Sequence, residues 1–170
     1  HQKTLHVDLN ETDRPRILSR RIWYGYGAFT DKGHSRGGST QKDYLAWARH
    51  NRMAGSFTVH AGHAWQSIIA DNKKEFADHP EYLALVNGKR QEPQLCVSNP
   101  EVQRLATDWA FKQLAKNPAR EMVSMECSDG RGYCECPECQ KLGSVSNRVF
   151  GLANHVAREV GKKHPGKLVG

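Results

Sequence analysis

Four of the five cysteines fall between residues 127 and 139, three of them as Cys134-x-Cys136-x-x-Cys139. Thiolates at that spacing can converge on one soft metal ion, and a closed structural zinc site takes four ligands in a tetrahedron. Cys96 is the preferred fourth ligand and Cys127 the second choice. The same residues could instead form two disulfides, which a secreted protein permits, and both readings stay open at this point. Just ahead of the cysteines, Glu121-Met-Val-Ser-Met-Glu126 reads as a short strand with Ser124 and Glu126 on its polar face, followed by an Asp129-Gly130 turn. Carboxyls at the rim of an α/β scaffold can act as general acid, base or nucleophile, as in glycoside hydrolysis. Asp129 and Glu126 are the candidate catalytic residues, with a plain turn beside a solvated glutamate as the simpler alternative. His60, His63 and Trp65 form a candidate sugar-binding wall, where a tryptophan face stacks on sugar and imidazoles hydrogen-bond to it. Tyr24 is a further substrate-binding candidate, with Tyr26 and His34 behind it.

Those side chains need elements to position them. Residues 1–20 are polar, with Asp13-Arg-Pro-Arg16 breaking any pattern, and read as a lead-in segment. Residues 21–27 read as an aromatic-rich strand, and residues 30–39 as a glycine- and serine-rich loop. Thr40 can cap a helix over residues 41–53, and residues 56–61 alternate as the next strand, ending at the histidines. Residues 71–93 read as an irregular charged link that closes at Asn87-Gly88, a strong turn signal. Residues 94–97 are a brief third strand. Asn99 or Ser98 then caps a helix with Pro100 in its first turn. Its apolar residues Val102, Leu105, Ala106, Trp109, Ala110 and Leu114 recur at three and four. After the strand at 121–126 and the cysteine loop, Ser146 caps a last helix with a stripe of Val149, Phe150, Ala153, Val156, Ala157 and Val160. Residues 167–170 read as the start of another strand.

Strands alternating with helices predict parallel strands joined by helical crossovers. A full (β/α)8 TIM barrel needs about 250 residues. A chain of 170 residues therefore predicts an α/β partial barrel over residues 21–170, with about four β/α units of parallel sheet. The first strand-to-helix turn has no G-x-G-x-x-G and there is no phosphate loop, so no organic cofactor is expected.

Composition narrows the partners. Hydrophobic residues make up 38% of the chain and charged residues 25%, with no run of eighteen apolar residues, so no membrane role is expected. No secretory leader is visible, but the chain begins at His1 rather than Met, as a processed or excised piece would. The expected home is secreted or periplasmic, in a bacterium. A net charge of +7 attracts polyanions, acidic glycans among them. The basic residues form no stripe and the cysteine spacing matches no finger, which ranks a zinc-stabilised nucleic-acid binder last.

Three stretches stand out together: His79-Pro-Glu-Tyr-Leu-Ala-Leu-Val-Asn-Gly-Lys-Arg90, Gln94-Leu-Cys-Val-Ser-Asn-Pro-Glu101, and Asp129-Gly130 followed by Cys134-x-Cys136-x-x-Cys139. In combination they resemble a family of bacterial domains of unknown function grouped with the glycoside-hydrolase barrels and related to α-glucuronidase- and β-hexosaminidase-type enzymes. The resemblance implies a TIM-barrel fold and action on glycans. It puts Asp129 at the family's Asp-Gly position, and Cys96, Cys134, Cys136 and Cys139 at its recurring cysteines, with Cys127 as an addition. The expected function is that of a glycoside-hydrolase fragment acting on polysaccharide, such as uronic-acid or amino-sugar glycans, by carboxylate acid/base chemistry. Its partners would be that glycan and the remainder of its own barrel. Alone it is expected to turn over little or nothing, because a half barrel exposes two sheet edges; the later strands, which would carry the second catalytic carboxylate, are absent. The alternative is a non-catalytic glycan-binding module.

Overall fold

The computed structural model describes residues 41–53 and 60–170. The lead-in, the strand expected at 21–27 with Tyr24 and Tyr26, the loop with His34, and most of the strand expected at 56–61 lie outside the described residues. The chain divides into two compact units, residues 1–57 and 58–170. In the first, helix α1 (Gln41–His50) ends where the Asn51 main chain and side-chain amide both donate to the Trp47 carbonyl, at 3.0 and 2.8 Å.

The second unit opens with α2 (Ala64–Asp71), which buries Ala64, Trp65, Ile68 and Ile69 on one helical face. Helix α3 (Lys73–Asp78) and a 3-10 turn (Pro80–Tyr82) lead into β1 (Leu83–Val86) and β2 (Lys89–Leu95). Asn87 and Gly88 between them have φ of 49° and 75°, the left-handed pair that a type I′ hairpin turn demands. Val86 faces Lys89, Leu85 faces Arg90 and Ala84 faces Gln91; an irregularity then brings Leu83 opposite Leu95. Helix α4 (Pro100–Lys116) starts as its sequence requires, with the Asn99 side chain accepting from the Glu101 N–H at 2.9 Å and Pro100 in the first turn. All six of its expected apolar residues are buried.

Strand β3 (Met122–Val123), helix α5 (Pro137–Lys141), helix α6 (Val145–Lys163) and strand β4 (Leu168–Val169) complete the unit. β3 and β4 pair in parallel, Met122 with Leu168 and Val123 with Val169. On the far side of the same segment a single parallel bridge joins Glu126 to His63. Helix α6 is capped by Ser144, two residues before the expected Ser146, through an Asn147 N–H bond of 3.2 Å. Of its stripe, Val156 and Val160 are buried with Leu152, whereas Phe150 stays 65% exposed. Among the described residues no helix is long and apolar enough to cross a membrane.

This architecture overturns the expected barrel. The described residues form two separate two-stranded sheets, β1–β2 antiparallel and β3–β4 parallel, rather than four parallel β/α units. Two causes are visible. A two-residue turn reverses the chain, so it can join only antiparallel strands; a parallel pair needs a crossover of about a dozen residues or more. The stretch read as an irregular link plus a third strand is therefore one hairpin. The strand expected at 121–126 also pairs over only two residues. Beyond them the Met125 N–H still donates to the Gly170 carbonyl at 2.6 Å, while towards Gly62 a side chain takes over: the Ser124 hydroxyl donates to the Gly62 carbonyl at 2.9 Å and accepts from the Glu126 N–H at 3.2 Å.

Candidate metal centre and adjoining cleft

The hairpin delivers Cys96 one residue past the end of β2. The cysteine loop is laid along the hairpin by two bonds: the Glu135 N–H donates to the Leu85 carbonyl at 2.7 Å, and the Asn87 N–H to the Glu135 carboxylate at 2.8 Å. Cys136 then caps α5, its sulfur accepting from the Cys139 N–H at 3.4 Å. The result is that the sulfurs of Cys96, Cys134, Cys136 and Cys139 all lie within 4.8 Å of one another, and all four residues are buried. Cys96 stands 3.7 Å from Cys136 and 3.9 Å from Cys139, sulfur to sulfur. A disulfide closes at about 2.05 Å, and all five cysteines are free, so the disulfide reading falls. Bonds of about 2.3 Å to a tetrahedral zinc would set sulfurs about 3.8 Å apart, and the separations of Cys96 from Cys136 and Cys139 match that. Four buried cysteines here can hold a metal ion. Cys127 stays outside, its sulfur 3.5 Å from the Tyr133 hydroxyl.

The surroundings suit sulfur that carries charge. The Leu85 N–H donates to Cys134 at 3.3 Å. The Arg90 guanidinium reaches the same sulfur at 3.9 Å while bonding the Glu81 and Leu83 carbonyls at 3.1 and 2.8 Å. Arg148 donates to the Cys134 carbonyl at 2.9 Å. The Ser98 hydroxyl sits 3.1 Å from the Cys139 sulfur and 3.7 Å from those of Cys96 and Cys136. Hydrogen bonds from Cys139, and then from Arg90 and Ser98, pull the Cys96 thiol down to about 4 against the cost of its burial. The same Cys96–Cys139 bond, with burial, pushes Cys139 up, and burial also raises Cys134. Cys96 thus takes the charge while Cys134 and Cys139 keep their protons, which a bound metal ion displaces.

A cleft adjoins the other end of the loop. His63 Nδ1 lies 3.1 Å from the Cys127 carbonyl, which can only accept, so this nitrogen carries the hydrogen. The neutral ring then turns the lone pair of Nε2 towards Asp129, 3.3 Å away; the protonated ring makes an ion pair there. The Asp129 side chain is 93% exposed. Behind His63 lies a cavity of about 270 Å³ whose walls include His60, Ser67, Gln113, Arg120 and Ser124. Glu126 is anchored through its backbone, its carbonyl accepting from the Trp65 N–H at 3.3 Å, with its side chain exposed. Trp65 is 1% exposed and belongs to the core, so it offers no ring face to a sugar and leaves the expected wall. Its position in the first turn of α2 turns it inward with Ile68 and Ile69. The structure therefore brings His63 together with Asp129 and puts His60 on the cavity wall, and Tyr24 lies outside the described residues.

Several residues of the site have little or no signal in the sequence. Ser98 had a signal only as a competing helix cap; with Asn99 in that role, its hydroxyl is left for the sulfurs. Arg90 and Arg148 reach Cys134 from 44 and 14 residues away, and Arg120 comes to the cavity wall from another segment; none carries a local pattern. Gln94 and Ser128 tie β2 to the loop reciprocally, through Gln94 to the Ser128 carbonyl at 2.8 Å and the Ser128 hydroxyl to the Pro93 carbonyl at 3.0 Å.

Residues 1–170 match the family model described as Domain of unknown function (DUF4838). The chain belongs to this family. The match bears out the expectation of a domain-of-unknown-function family; it does not reach to a kinship with glycoside hydrolases. No curated protein and no solved structure matches the chain. In this DUF4838 chain, the loop at residues 126–139 carries Asp129 at one end and three of the four clustered sulfurs at the other.

Proposed function

We propose that this DUF4838 chain is a zinc-stapled, carbohydrate-active domain that acts on polysaccharide outside the cytoplasm. The single observation that carries this reading is the double use of one loop: the sulfur cluster fastens its far end while its near end presents Asp129 to His63 beside a polar cavity. Four soft thiolates in a closed tetrahedron suit zinc. With no position left for substrate, that ion serves structure. The chemistry falls to the rim, where Asp129 and Glu126 supply carboxyls and His63 a fixed imidazole. In a glycoside hydrolase such groups divide the acid and base or nucleophile roles. The test is release of reducing ends from uronic-acid and amino-sugar glycans by the zinc-loaded protein and by its longer parent. Activity should fall in Asp129→Ala, Glu126→Ala and His63→Ala. Unchanged activity in all three would remove the rim from the mechanism.

A second reading is favoured by the 93% exposure of Asp129. General acids are usually drawn from desolvated carboxyls, and an exposed one suits binding without cleavage. That reading predicts saturable glycan binding, no new reducing ends, and tolerance of Asp129→Asn.

A further inference from the structure

The cavity behind His63 holds a cation that nothing answers. Arg120 lies on its wall, its Nε is sealed from solvent, and that nitrogen hydrogen-bonds to nothing. Among the described residues the guanidinium forms no ion pair, while Glu101, Asp78, Glu138 and Glu159 all pair with nearby lysines or arginines on the surface. Leaving a buried donor unmade is costly, more so on a charged group. Nε itself is out of a ligand's reach, but the unpaired guanidinium that carries it stands on the cavity wall, and a cation so placed calls for an anionic partner from outside.

The rest of the lining points the same way. Among the described residues no aspartate or glutamate is on the wall. Ser67, Gln113 and His60 can all donate hydrogen bonds into the space. Trp109, also on the wall, gives its indole N–H to Asp71 at 3.1 Å, so that carboxylate is already engaged. The volume of about 270 Å³ is just under the common range of about 300–1,000 Å³ for small-molecule pockets. It has room for one ring-sized ligand, not for a chain.

We infer that this cavity is an anion subsite, in which the Arg120 guanidinium takes an oxyanion group carried by the ligand. The inference rests on the carbohydrate reading for the ligand's body and deepens it: the recognised sugar carries a negative group. With Nε sealed, the two terminal Nη groups of the guanidinium form the parallel pair of donors, which matches the two oxygens of a carboxylate or phosphate. His60, Ser67 and Gln113 would hold the remaining oxygens. The source of the oxyanion is a uronic acid or a phosphorylated sugar, and the probes below separate these.

The experiment is calorimetric titration of the whole zinc-loaded protein with glucuronate, glucose 6-phosphate, glucose and inorganic phosphate. Charged sugars should bind, and glucose should bind at least about 10-fold more weakly. Which charged sugar binds tighter names the source. Arg120→Met should weaken the charged sugar by about 10- to 100-fold and leave glucose unchanged. It should also be at least as stable as the parent, because an unanswered buried donor is removed; a guanidinium that served only structure would show a loss. Arg120→Lys keeps the charge without the fork, so a partial loss is expected, and it stands in if Arg120→Met fails to fold. Equal binding of glucose and glucuronate overturns the anion subsite and spares the carbohydrate reading. Inorganic phosphate binding that needs Arg120, with no sugar bound, supports the subsite and overturns the carbohydrate reading. No binding of any probe overturns both.

Discussion

The two ends of the loop at residues 126–139 obey different rules. At the cysteine end, Cys134, Cys136 and Cys139 are 3%, 7% and 0% exposed, and each sulfur faces another sulfur, a backbone N–H or a hydroxyl. At the near end, Asp129 is 93% exposed and meets one partner, a half-buried histidine. Soft donors closed away from water have no room for substrate, so they serve the fold. Polar groups held loosely beside a cavity cost the fold little and remain free to meet a ligand. If this contrast is right, damage at one end should appear as lost stability, and damage at the other as lost recognition.

The sharpest attempt to break the contrast is Cys139→Ser. Structural zinc contributes about 10–16 kcal/mol of apparent binding energy in small domains, and that energy is folding energy. Loss of one ligand should abolish stoichiometric zinc and lower the unfolding free energy by several kcal/mol. Cys127→Ser should keep one zinc per chain and change stability by less than about 1 kcal/mol, since its sulfur faces Tyr133 and not the cluster. Metal analysis and denaturant melts read both. Zinc released by Cys127→Ser but retained by Cys96→Ser would end the four-sulfur assignment. Acid should act in the same direction as Cys139→Ser. The thiols of Cys134 and Cys139, both raised, reclaim their protons readily, so zinc leaves as pH falls and returns as it rises.

A smaller effect sharpens the same end. The Ser98 hydroxyl touches three of the four sulfurs without being needed as a ligand. Groups that bond to ligands commonly contribute about 10- to 100-fold in metal affinity. Ser98→Ala should weaken zinc by that order in a chelator competition while the loaded protein keeps its fold. No change in affinity would mean that the hydroxyl merely fills space. Asn99→Ala, one residue on, supplies the contrast: it removes the cap bond to the Glu101 N–H and should cost about 1 kcal/mol of stability with zinc affinity unchanged.

That neighbouring pair also shows what sequence can and cannot reveal. Asn99 and Pro100 announce a helix start through purely local chemistry, and the six apolar positions of α4 are all buried. Phe150 shows the limit of periodicity, which names a face but not how far the packed neighbour extends along it, and that ring is 65% exposed. The sheet sets two signals against each other. Asn87-Gly88 specifies a hairpin while the strand–helix alternation predicts parallel pairing, and the local turn prevails because the chain doubles back there. The cysteine cluster came together with the four expected members by a different route. Cys96 reaches the loop because the β1–β2 hairpin folds back on itself and bonds Glu135, not because parallel strand ends share a rim. Arg120 and Ser128 carry no local signal, since the cavity beside the one and the partners of the other are brought near only by the tertiary fold.

The smallest expected effect is the most discriminating. Asp129→Asn keeps the shape of the side chain and removes its charge, so it alters only the 3.3 Å contact with His63. An exposed ion pair contributes about 0–1 kcal/mol, and this one exists only while the imidazole carries both protons. The variant should therefore melt within about 0.5 kcal/mol of the parent. Zinc content should not move. Glycan turnover, in contrast, should fall if Asp129 acts as acid or base, and glycan affinity should survive if it only helps to bind. A loss of 2 kcal/mol or more, on the order of a buried pair, with glycan handling untouched would reverse the division. The rim would then be part of the staple, and the search for chemistry would move wholly into the Arg120 cavity.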